Sequence, residues 1–115
     1  MTVNRELLTF AAKAAGIKGG YLKENRIIRE FCYEQYEYIY IRENNHKWNP
    51  LTNDGDAFRL AVDMGLLIEI NKRMLGDTFV SSERYDLIEI HNDNPHAATR
   101  LAIVRAAAQI GKDMK

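Results

Sequence analysis

A chain of 115 residues, 46% hydrophobic and 28% charged, has the size and balance of one globular domain rather than of a disordered segment. Its 16 Lys and Arg offset its 16 Asp and Glu, which argues against general electrostatic capture of nucleic acid or of an anionic membrane. Cys32 is the single cysteine, so an intramolecular disulfide is excluded, and no apolar run approaches the roughly 20 residues of a membrane-spanning helix.

Asn4 to Ala15 reads as a helix: Asn4 can cap it, Leu7, Leu8, Ala11, Ala14 and Ala15 recur at helical spacing, and Gly16 supplies a stop. The β-branched and aromatic content of Arg26 to Arg42 predicts a hairpin, about Arg26–Cys32 pairing with Glu37–Arg42. Tyr36, Tyr38 and Tyr40 alternate with Glu37, Ile39 and Ile41, so the three tyrosines form a stripe on one face. Glu43 to Lys47 reads as a polar loop. Trp48-Asn49-Pro50-Leu51 is extended or turned, because proline restricts the residue before it.

Thr52, Asn53 or Asp54 can cap a second helix with an apolar face of Ala57, Phe58, Ala61, Val62 and Met64, ended by Gly65. Leu66–Ile70, Thr78–Ser81 and Tyr85–His91 read as strands, with a turn over Lys72 to Asp77. Asn94 caps the last helix, Pro95 takes its first position, and Gly111 ends it. The expectation is an α+β fold spanning residues 1–115 as one domain. It has an antiparallel or mixed sheet of four to five strands in hairpins with three helices, in the order α-β-β-α-β-β(-β)-α.

Trp48-Asn49-Pro50-Leu51-Thr52-Asn53-Asp54-Gly55-Asp56-Ala57-Phe58-Arg59-Leu60-Ala61-Val62 resembles a segment shared by small, uncharacterised proteins of tailed phages and prophages. Its pattern is roughly W-x-P-L-x-x-D-G-D-A-x-R-L-A-V. Arg5-Glu6-Leu7-Leu8 with Ala11–Gly16, and Ala97–Ala108, resemble the start and end of the same family. The layout is also distantly similar to that of the NinX phage proteins. The resemblance implies a phage accessory protein in the cytoplasm of a host bacterial cell, and it carries no catalytic residues to transfer. Accessory proteins of this kind include counter-defence factors that bind host enzymes or sequester nucleotide signals.

Several constellations have both a chemical and a structural reading. Asp54-Gly55-Asp56 can hold a cation, but the further ligands of a calcium loop are missing, and capping explains it more simply. Trp48 and Arg59 can sandwich a ring or grip a phosphate, or Trp48 can pack the core. Tyr36, Tyr38 and Tyr40 can stack bases, yet Lys18 to Lys47 holds six basic and five acidic residues, a balance that disfavours nucleic acid. His91, Asp93 and His96 match no familiar zinc spacing. The start of the last helix, with Thr99 and Arg100, offers an anion site. Cys32 has no local activating context.

The segment Leu66–Asn94 carries three basic and six acidic residues, whereas Pro95–Lys115 carries four basic and one acidic, so these parts can dock together within one chain or between copies. The Ala-rich last helix is either deeply buried or a self-association surface. The reading is therefore a non-enzymatic binding protein without cofactor or metal, expected as a homo-oligomer. A nucleotide-type molecule would meet Trp48, Arg59, Tyr36, Tyr38, Tyr40 and Arg100; a host defence protein is the other partner. A nucleic-acid accessory protein and a hydrolase built on His91, Asp93 and Asp54 or Asp56 are the rivals.

Overall fold

The computed structural model of the chain describes residues 3–73 and 76–114. Helix α1 spans Val3–Ala14, strands β1 and β2 span Gly20–Arg29 and Cys32–Ile41, and a 3-10 turn at Arg42–Asn44 leads to β3, His46–Trp48. Helix α2 (Asp54–Met64), strands β4 (Leu67–Asn71), β5 (Asp77–Ser81) and β6 (Asp86–Ile90), and helix α3 (Pro95–Asp113) complete it. The α+β fold stands, with six strands among the described residues in two antiparallel sheets, β1-β2-β3 and β4-β5-β6, instead of one sheet of four to five.

Helix ends follow backbone chemistry. Asn53 caps α2 by accepting from the Asp56 amide, and Asn94 caps α3 by accepting from Ala97. Gly16 and Gly65 adopt φ of 71° and 64°, the left-handed conformation in which helix C-termini close. Asn4 lies inside α1 rather than capping it. Gly111 does not stop α3, which runs on to Asp113. A Cβ on Gly111 would sit 1.8 Å from the carbonyl oxygen of Phe10, so this glycine serves the approach of α1 to α3.

That approach organises the core. Ala98, Ala102, Ile103, Val104, Ala106, Ala107 and Ala108 of α3 are buried, facing Leu8, Ala11 and Ala12 of α1, Ala57, Leu60 and Ala61 of α2, and Val80 of β5. Small side chains let three elements crowd around one helix, and each buried Leu or Val contributes roughly 1.5–3 kcal/mol. The Ala-rich helix is thus the covered centre of one chain. Arg105 of α3 donates to Glu89 of β6, so acidic sheet and basic helix meet within the molecule.

The first sheet departs most from the sequence expectation. β1 begins six residues earlier, and the reversal falls at Glu30–Phe31, so Cys32 opens β2 rather than closing β1. Phe31 takes the left-handed region, φ 59°. The predicted Glu43–Lys47 loop instead contains the 3-10 turn, Asn45 at φ 55°, and the start of β3. Three polar-flanked residues carry no alternation of their own; β2 supplies the pairing. The predicted turn at Lys72 to Asp77 includes Met74 and Leu75, which lie outside the described residues.

Candidate functional site: a cleft at the open edge of strand β2

The Trp48–Arg59 segment is tied together by one carboxylate. Asp56 is fully buried. Its Oδ1 meets His46 Nε2 at 2.7 Å and the Arg59 guanidinium at 2.9 Å, while Oδ2 accepts from the Asn49 amide at 3.0 Å. A buried charge is tolerable only when its lone pairs are filled in this way. Asn49 extends the knot: its side-chain oxygen accepts from Leu51 N, and its amide donates to the Glu37 carbonyl at 2.6 Å. Thus β2, β3 and α2 are fixed to one another by residues between positions 37 and 59.

Among the described residues β3 pairs only with Ile39–Ile41 of β2. Beyond Ile39 the β2 edge continues toward Cys32 without β3 beside it, and the chain from Asn49 to Asn53 turns away. Between them lies a cleft of about 640 Å³ lined by Lys23, Arg26, Tyr36, Lys47, Asn49 and Asn53, with Glu34 and Glu37 also on its walls. Glu37 is occupied by the Tyr21 hydroxyl, 2.6 Å away.

The tyrosine stripe forms as read, on one face of β2, opposite Gly20, Leu22 and Glu24 of β1. It is not an open stacking platform. Tyr36 and Tyr38 lie with ring centroids 5.2 Å apart. The Arg26 guanidinium sits 4.0 Å over the Tyr36 ring, and the Lys47 ammonium 5.2 Å from the Tyr38 ring. Lys47 is anchored to Glu24 at 3.1 Å. Burial, then the nearby Glu24 carboxylate, pushes the Tyr38 phenol above its ordinary value. The hydrogen bond and charge of Glu24 raise the Lys47 ammonium.

The structure separates the six residues expected to bind a ligand. Tyr36 lines the cleft. Tyr38 is buried, and Tyr40 donates to Asn45. Trp48 belongs to the hydrophobic core, which corrects the open sandwich with Arg59: a large ring that can be buried does better there than in water. Arg59 donates to Asp56 through one guanidinium nitrogen and otherwise faces solvent, away from Trp48 in the core. Arg100 is held by the Leu51 carbonyl and by Asp54 at 2.7 Å, and it borders a different, mostly apolar groove with Phe58, Ile68, Ile70 and His96.

The rival catalytic set does not assemble. His91 is buried and bonds Thr78, which also meets Thr99, each at 2.7 Å, while Asp56 belongs to the His46–Arg59 knot. Among the described residues no three His, Cys, Asp or Glu side chains converge as a metal site. No helix among them is long and apolar enough to cross a membrane.

Sequence reading missed Lys23, Arg26 and Lys47 as cleft residues. Arg26 and Lys47 reach Tyr36 only through cross-strand register, which no local sequence signal announces. Comparison with family models, with curated proteins and with solved structures finds no match to this chain.

Proposed function

We propose that this chain is a non-enzymatic binding protein that captures an anionic, ring-bearing small molecule of nucleotide type in the cleft at the open edge of β2. One observation carries the reading: the cleft joins three cationic side chains, Lys23, Arg26 and Lys47, to the Tyr36 ring and the side-chain amides of Asn49 and Asn53. Cations suit phosphate, a ring suits a base, and amides suit a base edge or ribose. The volume falls within the range of roughly 300–1,000 Å³ common to small-molecule sites. The three sequence blocks resembling phage accessory proteins support a role in sequestering a host signal, inside a bacterial host.

Calorimetry against cyclic nucleotides and ADP-ribose-type molecules tests the reading. Binding that weakens at least about tenfold on Arg26→Ala and on Tyr36→Ala supports it. A folded protein that binds none of these molecules rejects it. The nucleic-acid reading is less well supported, because Tyr38 is covered and the chain has no excess of positive charge to hold a phosphate backbone.

A further inference from the structure

We propose that β1 is the seam of a homodimer, pairing antiparallel with β1 of a second copy about a two-fold axis at Asn25. The seam shares Lys23 and Arg26 with the cleft, but it is read by self-association without ligand, so it stands or falls apart from the nucleotide reading.

Among the described residues β1 pairs with β2 alone, so its other side is a sheet edge. From Leu22 to Arg29 every residue of the strand is exposed. Leu22, Ile27 and Ile28 are 48, 70 and 58% exposed, and a two-stranded ribbon with uncovered apolar side chains is marginal in water. Such an edge is a template for another strand.

The order of side chains along β1 says which strand fits. In an antiparallel pair related by a two-fold axis, facing residues share a sheet face, so their numbers sum to an even value. Centring the axis on Lys23, Glu24 or Arg26 sets identical charges against each other. Centring it on Asn25 places Glu24 opposite the second copy's Arg26 and, by symmetry, Arg26 opposite its Glu24. The same register sets Lys23 beside Ile27, where its stem can cover the methyl groups, and Leu22 beside Ile28. One strand therefore supplies two ion pairs and buries its exposed aliphatic side chains against its own copy.

The local structure is compatible with this arrangement. The β1–β2 ladder is regular from Gly20 to Ile27, and its irregularity falls between Ile27 and Arg29, so the five central residues have straight pairing geometry. Glu24 uses Oε1 for Lys47 and also engages the Tyr38 phenol, while Arg26 lies over the Tyr36 ring, so the two side chains turn from β2 toward the edge when the ion pairs form. Charges on the edge also disfavour other registers and other strands, which makes the pairing selective.

Sedimentation equilibrium with charge-swapped variants tests the seam. Glu24→Arg raises the dimer dissociation constant at least about tenfold, and the double variant Glu24→Arg/Arg26→Glu restores it, a recovery that misfolding cannot produce. In a Cys32→Ser background, Asn25→Cys crosslinks to its own copy under mild oxidation, because facing Cα atoms lie about 4.5–5.5 Å apart. Lys23→Cys does not, since its counterpart is four residues out of register, about 13 Å away. A wild-type protein that stays monomeric overturns the proposal. So does a dimer indifferent to Glu24→Arg, or one in which Asn25→Cys fails to crosslink.

Discussion

The α1–α3 seam and the β1–β2 hairpin are built on opposite principles. At the seam, alanines and Gly111 bring two helices so close that Leu8, Ala11 and Ala106 lose all contact with water. In the hairpin beyond Tyr21, β1 keeps no buried residue, and Phe31 at the tip is 89% exposed. One region turns small side chains into stability; the other holds large side chains outward at a cost. The contrast teaches that in this molecule the residues most like a core in composition are not all in the core.

The largest expected effect tests the seam. Gly111→Val places a Cβ in the Phe10 carbonyl, so α1 and α3 must separate; a loss of about 3 kcal/mol or more in urea unfolding is expected. A loss under about 1 kcal/mol would show that the helices are not tightly apposed. Next comes the knot below the hairpin. Asp56→Ala leaves the Asn49 amide without its acceptor and His46 and Arg59 without their anion, and costs about 3 kcal/mol, read by the same titration.

A smaller effect appears at alkaline pH. The Tyr38 phenol and Lys47 ammonium both hold their protons more tightly when folded than when unfolded. Their contribution to stability is complete below the ordinary values near pH 10 and is lost as pH rises through the folded ones. Chemical denaturation between pH 9 and about 11.5 should show this decline, and Tyr38→Phe should flatten it. The smallest change belongs to the tip. Phe31→Gly relieves a left-handed non-glycine residue and removes no packed side chain, so stability should stay level or rise by about 1 kcal/mol. A clear loss would mean that the tip packs on something.

Much of the fold was legible because its signals are local. Asn53, Gly65, Asn94 and Pro95 announce helix ends through backbone chemistry alone, and Tyr36 to Ile41 shows its strand by alternation. Gly111 misled for a physical reason: glycine marks both helix termination and close approach, and only the neighbour α1 tells the two apart. β3 was hidden because His46–Trp48 is a strand by virtue of β2. Trp48 was ambiguous on composition, since an indole serves a core and a pocket equally well. The cleft was mostly illegible: Lys23, Arg26, Tyr36 and Lys47 lie on three strands, and register brings them together.

The pairing of α1 with α3 also has a consequence for the order in which the chain is made. α1 leaves the ribosome well before its main packing surface, α3, which is translated some 80 residues later. The Asp56 knot, by contrast, joins residues close in sequence and can close while synthesis continues, because short loops cost little entropy. Leu8 and its neighbours therefore wait bare while the intervening strands settle, and the nascent chain is most in need of a chaperone just before α3 arrives.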